Sequence, residues 1–309
     1  LDTQTNPGVA KALAQKAVDM EAYAIIGPIF SGSITVSMSE TRRAEIPNFT
    51  GAAAAAITQQ GNPYIFRTSF TQLTAMPKVA RYFKDALGAK SVAMIWVNND
   101  FGKGGRDTMA KELDKLGIKI AADISTDPGQ VDFSGAVLRA KQSNADALFV
   151  YSNEEESARA LRELRKQGYD KPIVGETVLT SQKVIELAGD AANGAVAHVG
   201  LTADAPQPTI KGFDERFQKE YKYKSDHNGL KGYSGMYIVK VMTERLGKFD
   251  PKAFAAAMKG AKITVKDNPG VLLDVTFDQN GDLDRESFMT KVVGGKQQIV
   301  ATLPPASAK

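Results

Sequence analysis

The sequence AYAIIGPIFSGS at residues 22–33 places a strand, a turn and a helix in immediate succession. The apolar run Tyr23–Ile26 predicts a short buried strand, which ends at Gly27-Pro28. The Ser-Gly-Ser turn that follows leads into a helix predicted over 34–44. Such a succession leaves backbone N–H groups at the helix N-terminus without intrahelical partners. Because ligands of open α/β sheets bind beyond the carboxyl ends of the strands, this turn is a candidate anion site.

The alternation of strands and helices continues on both sides of this turn. A helix is predicted over 8–20, and strands are predicted over 47–50 and 64–68. A longer alternating block occupies residues 73–199 and includes a helix predicted over 105–116 and a strand predicted over 147–151. In this block the near-continuous apolar run Ser91–Val97 indicates a parallel strand buried on both faces. Alternation with short connections predicts right-handed βαβ units in a doubly wound α/β sheet.

The later part of the chain carries helices without strands between them. They are predicted over 209–221, 227–246 and 251–261, and strands follow at 271–277 and 287–293. These helices must cover a sheet that is built elsewhere, and the incomplete N-terminal sheet is the nearest one. We therefore expect the chain to visit each of two lobes more than once.

The composition is that of a globular protein with two domains, since the 309 residues are 43% hydrophobic and 24% charged. The basic residues behind the net charge of +4 alternate with acidic ones, which indicates a solvated surface and no nucleic-acid partner. No apolar run is long enough to span a membrane, and no export signal opens the chain. Residues 304–309 are expected to be disordered.

Patterns for catalysis and metal binding are weak in this sequence. It has no cysteine and two isolated histidines, which argues against disulfides, thiolate chemistry and a structural metal site. The segment GKGG at 102–105 lacks the spacing and the Lys-Ser/Thr pair of a phosphate loop. The acidic turn at 278–285 lacks the glycine and glutamate positions of a calcium loop. We therefore predict no enzyme activity, no cofactor and no metal.

Several short motifs resemble, in their order and spacing, the type I periplasmic solute-binding proteins of ABC transporters, specifically the branched-chain amino-acid-binding group. These motifs are Asp2–Pro7, IIGPIFSGS at 25–33, the turn at 49–56, NNDFGKG at 98–104, GYDKPIVG at 168–175, AGDAANG at 188–194 and FDQNGD at 277–282.

The resemblance implies two doubly wound Rossmann-like lobes joined by a three-crossing hinge. Lobe I is expected to comprise residues 1–69 and 203–277, and lobe II residues 70–202 and 278–309. Family members begin with a strand, a helix and a second strand before the segment that matches Leu1. The first lobe is therefore expected to lack these elements in this chain.

In lobe I, the resemblance implies a site for a ligand carboxylate. Ser31, beside Gly32, would donate its hydroxyl and N–H, with the alternative that Ser31 only caps the helix. Ala52 would offer its carbonyl to a ligand ammonium. Ala53 replaces a family threonine, and the missing hydroxyl weakens this anchor by about 1 kcal/mol. Lys231 is a further candidate, for which a surface position is the favoured interpretation.

In lobe II, the resemblance implies that residues after strand ends close over the ligand. Phe101 matches a family tyrosine and keeps its apolar contact, with an ordinary core aromatic as the alternative. Tyr151 or Asn153 would face the cleft. Thr177 matches the acid that holds a ligand ammonium, and its neighbour Glu176 is expected to point to the opposite side of an extended segment.

The missing acid argues for a carboxylate without an α-amino group, such as an aromatic or short aliphatic acid, because a desolvated ammonium would lack a partner. A branched-chain or other amino acid stays open. The resemblance implies a monomeric periplasmic protein, exported with a signal peptide, that delivers its ligand to an ABC permease without inserting into the membrane. A ligand-sensing domain of the same fold, acting in signalling or regulation, is the alternative.

Overall fold

The chain divides into two units in the computed structural model, which describes residues 1–306. Unit 1 comprises Leu1–Thr71, Leu201–Glu286 and the described residues from Pro304 onward. Unit 2 comprises Gln72–Gly200 and Ser287–Leu303. Within residues 1–306, no helix combines the length and the apolar character needed to cross a membrane. Disorder was predicted for residues 304–309. Of these, residues 307–309 lie outside the part of the chain that the structure describes.

The helices and strands are numbered here in chain order. The α-helices are α1 (Pro7–Asp19), α2 (Ser31–Arg43), α3 (Gln72–Arg81), α4 (Asp100–Lys115), α5 (Ser134–Gln142), α6 (Glu154–Lys166), α7 (Gln182–Ala188), α8 (Pro208–Tyr221), α9 (His227–Leu246) and α10 (Pro251–Met258). The strands are β1 (Ile25–Ile26), β2 (Asn48–Thr50), β3 (Ile65–Arg67), β4 (Ser91–Val97), β5 (Lys119–Thr126), β6 (Ala147–Tyr151), β7 (Ile173–Glu176), β8 (Val196–Val199), β9 (Lys262–Ile263), β10 (Val275–Phe277), β11 (Leu283–Asp284), β12 (Ser287–Val293) and β13 (Lys296–Leu303).

Unit 1 contains two small sheets. Strands β1, β2 and β3 are parallel and lie in that order, and β11, β10 and β9 form an antiparallel sheet. Among the described strands β1 pairs with β2 alone, so Ile25 and Ile26 stay partly exposed. The strand is therefore shorter and less buried than predicted over 23–26. Helix α2 covers this sheet with Ile34 and Met38.

Unit 2 is built on one sheet of seven strands in the order β13-β12-β8-β7-β6-β4-β5. Strands β4 to β8 are parallel to one another, and β12 and β13 add two antiparallel strands. Alternate residues of β4 belong to different core clusters, with Ala93 and Ile95 in one and Val92 and Met94 in the other. Helices thus cover both faces, as predicted for a doubly wound α/β lobe.

The predicted lobe boundaries differ from the two units after residue 277. Residues 278–286 lie in unit 1, because β11 pairs with β10 of that unit. The backbone N–H of Ala306 also donates to Asp284, at 3.0 Å. The chain changes unit four times, after Thr71, Gly200, Glu286 and Leu303, whereas three crossings were predicted.

Two helices begin earlier than predicted, and both changes concern the candidate site. Helix α2 starts at Ser31 and not after the Ser-Gly-Ser turn. Helix α4 starts at Asp100 and takes in most of the glycine-rich segment that was predicted to be a loop. The side chain of Asn99 accepts the N–H of Gly102 at 2.9 Å and so caps α4, which explains the early start.

Candidate functional site

The N-terminus of α2 forms the first half of the candidate site, in unit 1. Phe30 precedes the helix and provides no side-chain cap. The N–H groups of Ser31 and Gly32 accordingly find no acceptor among residues 1–306. Ser31 is buried, and its Oγ accepts the N–H of Ala54 at 3.2 Å, which leaves the hydroxyl proton free to donate. Since Ser31 is itself the first helical residue, it is not the cap that the alternative interpretation required.

The loop at 51–54 lies next to this helix end and contributes one further free donor. The N–H of Ala52 donates to Thr50 Oγ1 at 3.2 Å, and the N–H of Ala54 donates to Ser31. The N–H of Ala53, between them, has no acceptor in the described part of the chain. Among residues 1–306, the unpaired donors of this half-site are therefore three amides and the Ser31 hydroxyl.

The carbonyl oxygens of the same loop are already occupied. Ser69 Oγ donates to the carbonyl of Gly51 at 2.8 Å and lies 3.3 Å from that of Ala52. The Arg67 guanidinium donates to the carbonyls of Ala52 and Ala54. The Ala52 carbonyl, which the resemblance assigns to a ligand ammonium, thus already accepts a hydrogen bond from Arg67, while the single hydroxyl proton of Ser69 lies closer to the Gly51 carbonyl.

Arg67 fixes the shape of this loop from the end of β3. Its side chain is fully buried and forms an ion pair with Asp282. The hydroxyl of Thr58 donates to the same Asp282 carboxylate at 2.9 Å. Neither Arg67 nor Ser69 was predicted to support the site. The available signal was a charged residue inside the otherwise apolar strand predicted over 64–68.

Lys231 of α9 lies beside the loop. A Cβ built on Gly51 would lie 3.5 Å from Lys231 Cδ, so the lysine stem packs against the backbone of the loop. Lys231 is partly buried, in contrast to the surface position favoured from the sequence. A positive side chain thus accompanies the free donors of this half-site.

Phe101 and Tyr151, two of the predicted site residues, lie together in unit 2. Their rings stack with centroids 4.1 Å apart and planes 24° apart. Phe101 lies in the first turn of α4 and is partly exposed, whereas Tyr151 is buried at the end of β6. The Gln72 side-chain amide donates to the Tyr151 hydroxyl at 3.0 Å and to the Phe101 carbonyl at 2.7 Å. Phe101 therefore presents an apolar face that the buried tyrosine supports.

Two glycines of α4 make this arrangement possible. A Cβ at Gly105 would lie 2.0 Å from Tyr151 Cε1, and a Cβ at Gly104 would lie 2.4 Å from Gln72 Oε1. The GKGG segment thus serves close packing of the helix against the ring and the amide, which agrees with its rejection as a phosphate loop.

The remaining predicted residues of unit 2 follow β6 and β7. Asn153 precedes α6, is partly exposed and makes no capping hydrogen bond. Glu176 and Thr177 were predicted to point to opposite sides. That prediction is wrong, because the chain turns into a 3-10 helix at Thr177 and its hydroxyl donates to Glu176 Oε1 at 2.6 Å.

Glu176 also faces a buried histidine. His198 pairs with Glu176 in the register of β7 and β8, and its Nδ1 lies 3.6 Å from Glu176 Oε1. Burial lowers the pKa of His198, and the neighbouring carboxylate partly opposes this effect. Within residues 1–306 no group of three His, Asp or Glu side chains is arranged to hold a metal ion.

A separate groove of about 580 Å³ in unit 1 is lined by α8, α9 and the loop at 267–270. Its lining includes Tyr233, which the sequence offered beside Lys231 as a possible pocket residue, but none of the residues that the resemblance assigns to ligand binding.

Comparison with known proteins gives one family. The family model described as "Periplasmic binding protein" matches residues 1–297. A similar curated protein is the leucine-, isoleucine-, valine-, threonine- and alanine-binding protein of Pseudomonas aeruginosa. It is 24% identical over 289 residues, which are 93% of this chain and 76% of that protein.

Solved structures with the same fold include proteins named for two kinds of ligand. A leucine binding protein, LivK, from Thermotoga maritima has a TM-score of 0.91 at 23% identity, with 99% of this chain and 87% of that chain covered. A solute binding protein of an ABC transporter from Rhodopseudomonas palustris, in complex with 3,4-dihydroxybenzoic acid, has a TM-score of 0.87 at 24% identity, with 98% and 85% covered.

Proposed function

Because the chain belongs to the periplasmic binding protein family, we propose that it is a periplasmic solute-binding protein of an ABC importer and not an enzyme. It binds one small carboxylate and delivers it to the membrane permease. The ligand carboxylate contacts the α2 half-site of unit 1. The support for this proposal is the family match together with the chemistry of the unit 1 half-site.

The observation that carries the proposal is the set of free donors at the α2 N-terminus. The Ser31 hydroxyl and the N–H groups of Ser31, Gly32 and Ala53 find no acceptor in the described chain. A carboxylate offers about four acceptor positions, and a helix N-terminus favours negative charge. The stem of Lys231 against the same loop adds a cation to this side of the site.

The carbonyl of Ala52, which the resemblance assigns to a ligand ammonium, already accepts a hydrogen bond from Arg67 in this half-site. The oxygens of Gly51 and Ala52 are bonded by Ser69 and Arg67. An ammonium placed there would be desolvated without a partner, at a cost of several kcal/mol. The ligand class is therefore a carboxylate without an α-amino group, such as an aromatic or short aliphatic acid.

An amino acid is the second candidate ligand, and Glu176 is the observation that favours it. This carboxylate lies at the end of β7 and could pair with an ammonium. It already accepts a hydrogen bond from Thr177 and faces His198, so an amino-acid ligand would have to compete for it.

Thermal-shift measurements with a panel of ligands test the ligand class. The panel is benzoate, 4-hydroxybenzoate, hexanoate, L-leucine and L-valine. A ligand at a hundred times its Kd stabilises the folded state by about 2.7 kcal/mol, which raises the melting temperature by roughly 5 °C in a protein of this size. We expect this rise with an acid of the panel. A rise with leucine or valine alone would contradict the ligand class, and no rise at all would contradict the proposal.

The contact at Ser31 is tested by calorimetric titration of Ser31→Ala with the acid that binds. Loss of a hydrogen bond to a charged group costs about 1.5–3 kcal/mol, so the affinity should fall roughly 10- to 100-fold. The matched control is Ser39→Ala, an exposed serine of the same helix, which should leave the affinity unchanged. Equal affinities of the two variants would place the carboxylate elsewhere.

A further inference from the structure

Arg285 is a buried cation without a carboxylate partner. Its side chain is 1% exposed and lies between β11 and β12. One guanidinium nitrogen donates to the carbonyl of Thr68 at 3.1 Å, and the guanidinium carbon lies 5.8 Å from the centre of the Phe70 ring. Its Nε finds no hydrogen-bond partner in the part of the chain that the structure describes. No ion pair within residues 1–306 includes Arg285.

A second buried arginine in the same unit shows the usual arrangement. Arg67 is also fully buried, but Asp282 compensates its charge and two carbonyls accept its other donors. A buried charge without such a partner is strongly disfavoured. Burial lowers the pKa of Arg285 to about 9, which still leaves the guanidinium protonated at neutral pH. Arg285 is therefore a buried positive charge for which residues 1–306 provide no carboxylate partner.

This charge is connected to the loop of the unit 1 half-site through the hydrogen bonds of Thr68. Thr68, whose carbonyl Arg285 binds, donates its own N–H to the carbonyl of Thr50 at 2.9 Å. The next residue, Ser69, donates to the carbonyl of Gly51. Thr68, which Arg285 binds, and its neighbour Ser69 are thus the residues after β3 that hydrogen-bond to Thr50 and Gly51 of the loop segment. Since the surroundings are buried and poorly screened, the charge acts over several residues.

We propose that Arg285 is a specificity-determining residue that favours ligands with a net negative charge over zwitterions. This inference rests on the proposed function. A monoanionic acid in the α2 half-site offsets the charge of Arg285. A zwitterionic amino acid brings its ammonium into the same field, so the attraction of its carboxylate is cancelled in part.

The experiment compares Arg285→Gln with Arg285→Lys by calorimetric titration with benzoate. Both side chains can donate to Thr68, but lysine alone keeps the charge. We expect R285K to bind within about threefold of the wild-type affinity and R285Q to bind about tenfold more weakly, which is about 1.4 kcal/mol. The control is Lys219→Met, which removes one exposed positive charge from the same unit and should leave the affinity unchanged.

The outcomes separate this inference from the proposed function. If no acid of the panel binds the wild-type protein, both fail. If benzoate binds the wild-type protein, R285K and R285Q with equal affinity, the role of Arg285 alone is refuted. A merely structural role would lower the melting temperature of the ligand-free protein without distinguishing Lys from Gln in affinity. Should R285Q not fold, Arg285→Met gives the same comparison, because an apolar replacement of a buried charge is often tolerated.

Discussion

Replacing Asp282 with asparagine should destabilise unit 1 strongly. The substitution keeps the size of the side chain but removes the charge that pairs with Arg67. That arginine side chain is fully buried, and the Asp282 side chain is 9% exposed. The Thr58 hydroxyl and the carbonyls of Ala52 and Ala54 depend on the same network.

The size of the effect follows from this burial. Removing one partner of a buried ion pair costs about 3–5 kcal/mol. An asparagine oxygen can still accept one hydrogen bond, so we expect a loss near the lower value, about 3 kcal/mol. The matched control is Glu244→Gln, which breaks the exposed pair of Lys240 and Glu244 on α9. Exposed helical pairs of this kind contribute about 0.3–0.5 kcal/mol.

Urea unfolding followed by two signals measures this loss. Far-UV circular dichroism follows the whole chain, whereas the fluorescence of Trp96, the single tryptophan, follows β4 of unit 2. We expect D282N to lower the circular dichroism midpoint clearly and the fluorescence midpoint less. A change below about 1 kcal/mol, similar to that of the control, would refute the view that this buried pair holds the loop of the half-site.

Two further predictions concern packing and pH. Gly105→Ala would bring a Cβ to 2.0 Å from the Tyr151 ring. We therefore expect the free energy of unfolding in urea to fall by about 1–3 kcal/mol and the near-UV circular dichroism spectrum to change. The control is Gly135→Ala in α5, where a Cβ would meet no atom within 4 Å, and this substitution should be neutral or slightly stabilising. Equal effects of the two substitutions would contradict the tight contact. Burial and, to a smaller extent, the charge of Lys231 lower the pKa of His227 well below 6.5. As the pH falls below 6.5, His227 is therefore protonated in the unfolded chain but stays neutral in the folded chain. The free energy of unfolding should therefore decrease on acidification, by up to about 1.4 kcal/mol per pH unit from this residue, and His227→Gln should show a shallower decrease between pH 6.5 and 5; an unchanged slope would refute the assignment.

The sequence predicted those elements best whose residues are buried on both faces. The strands Ser91–Val97 and Ala147–Tyr151 have the predicted bounds, because a continuous apolar run between turn residues needs no other part of the chain to define it. Strand β13 was missed, since the sequence KQQIVATL at 296–303 does not alternate between polar and apolar residues, although the exposure of these residues does alternate in the structure.

Helix starts and lobe boundaries depend on contacts that are distant in sequence. Helix α4 includes glycines that usually end a helix, and the reason for them is the ring of Tyr151, which lies against Gly105. Residues 278–286 belong to unit 1 because β11 pairs with β10, and no local sequence pattern predicts this pairing.

For the candidate site, the sequence predicted which residues lie there but not the hydrogen bonds that they form. Strand and helix ends identified Ser31 and Phe101 as residues to consider. That the Ala52 carbonyl is occupied depends on Arg67 and Ser69, which lie 15 and 17 residues further along the chain. The hydrogen bond from Thr177 to Glu176 likewise depends on a turn that the extended pattern did not predict.

A crystal structure of the protein with benzoate, or with the acid of the panel that binds most tightly, would show where the carboxylate lies. We expect its oxygens to lie about 3 Å from Ser31 Oγ and from the backbone nitrogens of Gly32 and Ala53. A carboxylate bound away from Ser31, or an amino acid whose ammonium lies on the carbonyl of Ala52, would contradict the proposed binding mode.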